Sequence, residues 1–448
     1  MRFLPQTDAE ITAMLKTVGA ASLEDLIAHV PAALRQTAGL KLEPGLAESA
    51  VAARLQALAS LNEGATGLRS FLGGGYYRHY IPAAVRTITA RSEFATSYTP
   101  YQPEASQGTL QAIFEFQTLI TQLTGLEVAN ASMYDGASAV AEAVLMARRV
   151  LPRKGVVALS RALWPDYRLA IRTYLSALAG IEVVEIPFDA KHGTVALDAL
   201  ERLARDSLLC IVSGYPNMFG VVEPMGTISE IAHRAGALSI SATAEPLALG
   251  LLKAPGELGV DIAAGEGQSF GLPLQYGGPG VGFLAAGPAH LRQMPGRLVG
   301  ETRDRDGRRA FCLTLATREQ HIRRERATSN ICTNHSLCAL AVTVYLSLLG
   351  AQGLRELAER NVELAHYAAD RLAAAGVHPR FVGPFFNEFV VELNDVPKAL
   401  AAAELRSVAA GVALGRDYPE LGRGLLICVT EINDTTDIDL LCDTLVEA

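Results

Sequence analysis

Few positions in this sequence offer an amine that could act as a nucleophile. Of the 39 basic residues in the 448-residue chain, only six are lysines. They are Lys16, Lys41, Lys154, Lys191, Lys253 and Lys398. A lysine forms a Schiff base with a carbonyl only where its amine can be deprotonated. Each possible Schiff-base lysine can therefore be compared with the predicted elements one by one.

A strand-to-helix turn at Asp135-Gly136 is a candidate anion site. The amides at the N-terminus of a helix attract phosphate. Asp135, however, is a typical N-cap residue, and its carboxylate would satisfy those amides and repel an anion. We therefore favour an ordinary cap. A second turn, Gly277–Phe283, permits close backbone approach but lacks the glycine spacing of a dinucleotide-binding motif or a P-loop.

Two charged features, an arginine-rich segment and Glu245, each have two interpretations. The segment Arg318–Asn330 groups arginines with His321 in a helical-looking window. Such a run is typical of a solvated face, but planar guanidinium groups also suit a surface that binds carboxylates or phosphates. Glu245 follows a predicted strand, where a carboxylate can face a ligand or simply occupy a turn.

Composition indicates a folded protein with small-molecule chemistry. Half of the residues are hydrophobic, 19% are charged, and the net charge is −8 without a Lys/Arg block. This balance argues against a dedicated nucleic-acid or anionic-membrane binder. The six cysteines form no C-x-x-C pair, which favours free thiols over a zinc site. The N-terminus lacks a secretory signal, and the apolar run Leu337–Ala351 is too short for a bilayer. We expect a soluble, cytoplasmic protein without a metal.

Periodicity divides the chain into three parts. Residues 1–75 form a predicted helical arm, which either wraps a neighbouring subunit or packs on its own domain. Residues 76–330 begin with an irregular, aromatic-rich segment to residue 108 and continue with a helix and then alternating strands and helices. This alternation predicts a mainly parallel sheet covered by helices. Residues 331–448 predict a smaller α/β lobe that begins with a buried helix near 335–349.

Four stretches resemble the P-protein family of the glycine cleavage system. They read FLGGGYYRHYIPAAVR from Phe71, YTPYQPEASQGTLQAIFEFQTLITQLTGLEVANASMYDGASAVAEA from Tyr98, LLKAPGELGVDIAAGEGQSFGLPLQYGGPGVGF from Leu251, and TREQHIRRERATSNICTNHSLCAL from Thr317. The matches run from about residue 70 to 340. In chain length the sequence resembles the N-terminal, or alpha, subunit of the family's split form, in which two homologous subunits replace one double-length chain.

The resemblance implies the aspartate-aminotransferase type of fold (fold type I, pyridoxal phosphate-dependent). The cofactor-bearing half of the family reads His-Lys-Thr-Phe where this chain reads Gly267-Gln268-Ser269-Phe270. Gln268 therefore stands where the Schiff-base lysine would be, and an amide nitrogen cannot form that bond. Glu245 falls where the acid that pairs with the pyridinium nitrogen would lie. We expect Asp135, Gly136, Glu245 and Gln268 to form a relic pocket without covalent cofactor.

The resemblance also implies a division of labour between subunits. A homologous beta subunit would carry pyridoxal phosphate in an alpha2-beta2 tetramer, which would decarboxylate glycine and pass the aminomethyl group to the lipoyl arm of H-protein. The candidate residues of this chain at the beta active site are Tyr98, Thr99, Tyr101, Gln102 and Glu104. Arg323 and Arg324 are candidates for contact with the glycine carboxylate or H-protein. Two alternatives remain: a scaffold subunit without a part in the chemistry, and a free-standing enzyme anchored on Lys253 or another lysine.

Overall fold

The structure is a computed structural model that describes residues 5–37, 39, 42–62, 67–204, 207–331 and 333–447. Two compact units divide the chain, one over residues 1–64 and one over residues 65–448. The first unit is thus shorter than the predicted arm of residues 1–75. Lys41 and Cys332, both considered above, lie outside the described residues.

The first unit is helical, as its periodicity predicts. Its helices are α1 (Asp8–Val18), α2 (Leu23–Leu26), α3 (Ala32–Thr37) and α4 (Glu48–Ala59). Helix α1 begins at a capping box, in which the Thr7 side chain accepts from the Glu10 amide and the Glu10 carboxylate accepts from the Thr7 amide. None of the four helices contains a buried residue.

The second unit contains the strands and the remaining helices. The strands are β1 (Arg69–Ser70), β2 (Val128–Ala129), β3 (Gly155–Ser160), β4 (Ile181–Ile186), β5 (Leu208–Gly214), β6 (Leu238–Thr243), β7 (Ile262–Glu266), β8 (Gly282–Ala286), β9 (Leu298–Arg303), β10 (Arg309–Thr314), β11 (Glu388–Glu392), β12 (Val408–Ala409), β13 (Val412–Ala413) and β14 (Gly424–Cys428). The α-helices are α5 (Ala83–Thr89), α6 (Ser92–Ala95), α7 (Gln107–Thr124), α8 (Gly136–Val150), α9 (Pro165–Leu175), α10 (Leu197–Leu203), α11 (Met225–Arg234), α12 (Gln320–Arg323), α13 (Ser336–Ala374), α14 (Val396–Glu404) and α15 (Thr435–Glu447).

A seven-stranded sheet positions the candidate residues. Its strand order is β2-β8-β7-β6-β5-β3-β4. Strands β4, β3, β5, β6 and β7 pair in parallel, and β8 runs antiparallel to both of its neighbours. Strands β5, β6 and β7 are buried along their whole length, as expected for a sheet with helices on both faces. The prediction of a mainly parallel sheet is confirmed.

Smaller sheets complete the second unit. Strands β11, β14 and β13 form an antiparallel sheet, β9 and β10 form a hairpin, and β1 pairs in parallel with β12. The seven-stranded sheet precedes residue 330 and the three-stranded sheet follows it. Because residues 65–448 form one unit, the division into lobes at residue 330 stays a prediction.

Two segments differ from their sequence-based description. The segment from residue 76 to 108, expected to be irregular, contains the short helices α5 and α6 and the start of α7. The arginine-rich segment is not one helix: it consists of α12 between two 3-10 turns, and Arg324 adopts a positive φ of 53°. Short-range contacts that stabilise such single turns leave little periodicity in a sequence.

Helix α13 contains the buried helix predicted near residues 335–349. One window of it is long and apolar enough to cross a membrane, with a mean hydropathy of 1.8, but half of that window is buried inside the protein. Gly350, at φ 61°, interrupts the helical backbone. A core helix meets the same length and composition test as a membrane span, so this feature is weak support for a membrane segment.

We predict that Gly265→Ala lowers the free energy of unfolding by about 2 kcal/mol, because a Cβ on this central strand overpacks the sheet. That atom would lie 2.0 Å from the Thr243 carbonyl oxygen and 2.8 Å from the Phe283 ring. Urea unfolding of the purified chain measures the change. The control is Gly108→Ala in α7, where a Cβ meets nothing within 4 Å. It should raise stability by about 0.5 kcal/mol; equal effects of the two variants would contradict the packing account.

Candidate functional site

Gln268 lies just beyond the end of β7, buried to 3% exposure. Its side-chain oxygen accepts from the Tyr77 amide at 3.0 Å, and its side-chain nitrogen donates to the Tyr77 carbonyl at 3.0 Å. The same nitrogen donates to the Leu272 carbonyl at 2.7 Å. All three hydrogen bonds of the side-chain amide are thus to backbone groups, two of them at Tyr77.

The N-terminus of α8 is closed by two carboxylates. Asp135 is its N-cap, as the sequence favours, and accepts from the Ser138 amide at 2.8 Å. Glu266, at the end of β7, accepts from the Gly136 amide at 2.8 Å through one oxygen. Its other oxygen accepts from the amides of Gln268 at 3.0 Å and Val281 at 2.8 Å. Sequence reasoning missed Glu266, because no local pattern links it to Gly136, 130 residues earlier.

The N-terminus of α8 is buried and tightly packed around Gly136 and Glu266. Burial raises the pKa of Glu266 to about 7, against the opposing effect of its amide donors. A Cβ added to Gly136 would lie 2.0 Å from the Tyr167 hydroxyl and 2.9 Å from the Glu266 amide nitrogen. The Gly136 and Ser138 amides thus already have carboxylate acceptors, and the backbone at Gly136 is tightly packed.

Glu245 is buried beyond the end of β6 and pairs with a histidine. His79 lies between two carboxylates, with Nε2 2.8 Å from Glu245 and Nδ1 2.8 Å from Glu431. Burial lowers the pKa of His79, but Glu245 and Glu431 outweigh that effect and raise it to about 10. The imidazole is therefore a cation that donates to both acids. Of the two sequence-based interpretations of Glu245, neither included this partner.

These contacts decide whether pyridoxal phosphate fits the relic pocket. The cofactor needs an amine for its aldehyde, free donors for its phosphate, and a carboxylate for its ring nitrogen. Here Gln268 supplies no amine, Glu266 occupies the Gly136 amide, and Glu245 is bound to His79. The residues of this pocket do not fit the cofactor.

Lys253, the alternative lysine for a Schiff base with the cofactor, does not change this result. Its side chain is exposed, and its backbone carbonyl accepts from the Tyr215 hydroxyl at 3.2 Å. Gln268 and the carboxylates Glu245 and Glu266 are buried in the pocket core, each at 3% exposure or less. An exposed lysine is poorly placed to attack an aldehyde held among them.

The candidate loop lines a different, open cavity of about 390 Å³. Tyr98 and Thr99 contribute to its wall together with Arg297, Asn334 and His335. Tyr98 is 79% exposed, so its ring is available to another molecule. Asn334 and His335 directly precede α13. Hydroxyl and amide groups line this cavity, and such groups can hydrogen-bond to a carboxylate or phosphate.

Arg297 organises this cavity, and sequence reasoning missed it. The guanidinium, only 4% exposed, donates to the Thr99 hydroxyl at 3.2 Å and the Tyr101 hydroxyl at 3.1 Å. It also pairs with the buried Glu319 at 3.3 Å. Two of the five loop candidates are thus held by one guanidinium. A single arginine between apolar residues carries no motif that could have identified this role.

The other predicted residues are not brought to the cavity. Tyr101, Gln102 and Glu104 are exposed and lie outside its lining, although Tyr101 contacts the lining residue Arg297. Arg323 and Arg324 are exposed as well, which fits the solvated-face interpretation. Arg318, in contrast, is half-buried and donates to the carbonyls of Met294 and Gly296, beside Arg297.

A larger cavity, of about 600 Å³, lies in the C-terminal part of the chain. Its guanidinium groups already have partners: Arg380 pairs with Glu392 at 2.9 Å, and Arg423 donates to Leu393 at 2.9 Å and Asn394 at 3.0 Å. None of the predicted site residues lines it. Volume alone therefore does not make it the candidate site.

The sequence matches one known family over nearly its whole length. A sequence model of the family "Glycine cleavage system P-protein" matches residues 1–445. A relative from Moorella thermoacetica, described as probable glycine dehydrogenase (decarboxylating) subunit 1, is 50% identical over 443 residues, or 98% of each chain. A relative of the same description from Anaeromyxobacter dehalogenans is also 50% identical over 98% of each chain.

Solved structures of known proteins superimpose on this chain. A crystal structure of glycine decarboxylase (P-protein) of the glycine cleavage system, in inhibitor-bound form, superimposes with a TM-score of 0.90 at 44% identity and full coverage of both chains. A glutamate decarboxylase from Lactobacillus brevis superimposes with a TM-score of 0.68 at 15% identity, covering 91% of this chain and 94% of the other. The fold is that of fold type I enzymes, as the resemblance implied.

We predict that His79→Gln lowers the free energy of unfolding by about 3 kcal/mol at pH 6, because it leaves Glu245 and Glu431 without their cation. The folded pKa of His79, about 10, exceeds its ordinary value of 6.5. Its stabilisation is therefore complete below pH 6.5 and is lost as the pH rises through 10. The difference in the free energy of unfolding between wild type and variant, measured by urea titration, should therefore narrow between pH 6.5 and 10.

The control for this prediction is His29→Gln, since His29 is exposed. It should change stability by less than about 0.5 kcal/mol at every pH. If the loss of stability caused by His79→Gln stayed constant from pH 6.5 to 10, His79 would be neutral in the folded protein.

Proposed function

The chain belongs to the glycine cleavage system P-protein family, and on that basis we propose that it is the non-anchoring alpha subunit of a two-subunit enzyme. It is a subunit of the decarboxylating glycine dehydrogenase, as its relatives are. In our proposal, pyridoxal phosphate is bound by a homologous beta subunit, and this chain completes the active site there. The single observation that carries the proposal is Gln268, an amide at the position of the Schiff-base lysine.

The cavity around Arg297 supports a part for this chain at the partner's active site. Pyridoxal phosphate, bound to the partner, supplies the electron sink for loss of carbon dioxide. Tyr98 and Thr99 line an open cavity together with Arg297. The Arg297 guanidinium holds the hydroxyls of Thr99 and of the neighbouring Tyr101. Such groups can orient a glycine carboxylate by hydrogen bonding and hold it where water is scarce once a partner covers the cavity.

The proposal extends to the assembly and its location. We place two copies of this chain with two beta subunits, and lipoylated H-protein as acceptor of the aminomethyl group. The exposed Arg323 and Arg324 are the candidates for contact with H-protein. A cytoplasmic location is consistent with the buried thiols Cys210 and Cys428, since buried free thiols are typical of a reducing compartment.

Covalent labelling tests the assignment of the cofactor. The chain, purified alone and with a co-expressed partner, is incubated with pyridoxal phosphate, reduced with borohydride and mapped for modified lysines. We expect a stoichiometric adduct on a lysine of a co-purified homologue and none in the relic pocket of this chain, because Gln268 has no nucleophilic amine. Stoichiometric labelling of Lys253 in the isolated chain, with release of carbon dioxide from glycine, would establish the free-standing enzyme instead.

Substitution of the loop tests its part in the reaction. We expect Tyr101→Phe to lower kcat/KM for glycine decarboxylation roughly 10- to 100-fold, the scale for loss of one hydrogen bond to a charged group. Carbon dioxide release by the reconstituted complex measures the effect, and co-purification measures assembly separately. Gln102→Ala, an exposed neighbour, should have a smaller effect.

The matched control is Tyr367→Phe. The Tyr367 hydroxyl also makes one hydrogen bond, to Asp439 at 2.8 Å on α15. Asp439 does not line the cavity, whereas Arg297, the partner of Tyr101, does. This variant should keep full activity. If Tyr101→Phe and Gln102→Ala both left the assembled complex fully active, the loop would be only structural, as the scaffold alternative requires.

A further inference from the structure

We infer that this chain carries an internal surrogate for the coenzyme: His79, Glu266 and the backbone of Tyr77 occupy the three groups that would otherwise hold pyridoxal phosphate. The inference deepens the proposed function, since it explains how a subunit of this fold can do without the cofactor. It differs from a vacant relic, in which only the lysine would be missing. Three separate contacts carry it.

The ring nitrogen of the coenzyme is replaced by the imidazole of His79. Glu245 lies at the position of the pyridinium acid, and there it meets Nε2 of His79 at 2.8 Å. A protonated imidazole and a protonated pyridine both present an aromatic N–H to a carboxylate. Glu431, 11% exposed, accepts from the second ring nitrogen and fixes the ring orientation. Glu245 thus keeps a cationic heteroaromatic partner from within the chain.

The phosphate is replaced by the Glu266 carboxylate. An anion at the N-terminus of a helix is stabilised by the free amides and the helix dipole. Glu266 meets the Gly136 amide at 2.8 Å from the neighbouring strand β7. The helix therefore has an acceptor built in, and a phosphate would have to displace a buried carboxyl group to which two further amides also donate.

The Schiff base is replaced by a two-point amide pair. Gln268 both donates to and accepts from the Tyr77 backbone. A lysine offers donors but no acceptor, so lysine at position 268 would leave the buried Tyr77 amide without a partner. Tyr77 is held further by its hydroxyl, which donates to Glu388 at 2.8 Å. Restoring the amine alone would thus disturb the surrogate without making room for the coenzyme.

The surrogate also fixes the chain that leads to the candidate loop. Tyr77 is held by Gln268, and the Tyr80 amide donates to Glu431 at 2.7 Å. Helices α5 and α6 follow directly, and the loop from Tyr98 follows them. The former cofactor pocket therefore acts as a buried clamp on the segment 77–80.

The test of the cofactor pocket is Q268K, purified as the full chain and incubated with pyridoxal phosphate. After borohydride reduction and peptide mapping we expect no adduct at position 268, because Glu266 and His79 still fill the pocket. A stoichiometric adduct there, with the wild-type chain unlabelled, would overturn the surrogate and leave the proposed function intact. Covalent cofactor in the relic pocket of the wild-type chain would overturn both.

Hydrogen exchange tests the clamp without relying on the folding of Q268K. In the wild-type chain the peptide that contains Tyr77–Tyr80 should exchange at least 100-fold more slowly than an unfolded peptide, and Q268A should speed it at least tenfold. Gln117 offers a matched control: it makes the same two-point pair with the Val299 backbone, at 3.0 and 2.9 Å. Q117A should speed exchange at Val299 and leave Tyr77 unchanged. Exchange of the wild-type segment at the rate of an open loop would overturn the clamp.

Discussion

The second unit of this protein depends on the satisfaction of buried carboxylates. Glu245, Glu266 and Glu388 are each only 2% exposed, and an unpaired charge at such depth is costly. One short segment provides partners for two of them, through His79 and the Tyr77 hydroxyl. The third, Glu266, accepts from amides at the N-terminus of α8 and just beyond β7. The segment 77–80 and the acids around it must therefore fold together.

A fold of this kind usually places its ligand-binding groups at one site. Here the buried carboxylates at the end of the sheet and the open cavity are separate. The end of the parallel sheet, where such folds bind ligands, is filled by the chain's own groups. An open cavity lies instead beside Arg297 and Thr99, and the Arg297 guanidinium holds the hydroxyls of Thr99 and Tyr101. A subunit built in this way keeps the fold of the family, although its own groups fill the place of the coenzyme.

Much of the fold and one part of the site could be predicted from the sequence. The order of strands and helices follows from local periodicity, and the Asp135 cap from residue type. Gln268 was identified by its position in a long matching stretch, and Glu245 by its place after a predicted strand. The partners of these residues were not predictable: Tyr77 is 191 residues from Gln268, and His79 is 166 residues from Glu245. No local pattern encodes pairs at such separations.

By itself, the sequence determined that this chain has no amine at position 268 and therefore no covalent coenzyme there, because that outcome depends on side-chain chemistry alone. Only the tertiary structure decided that the pocket is filled rather than vacant, and that Arg297 and not Gln102 or Glu104 belongs to the open cavity. Those outcomes depend on which distant groups satisfy one another once water is removed, and burial is a property of the folded chain.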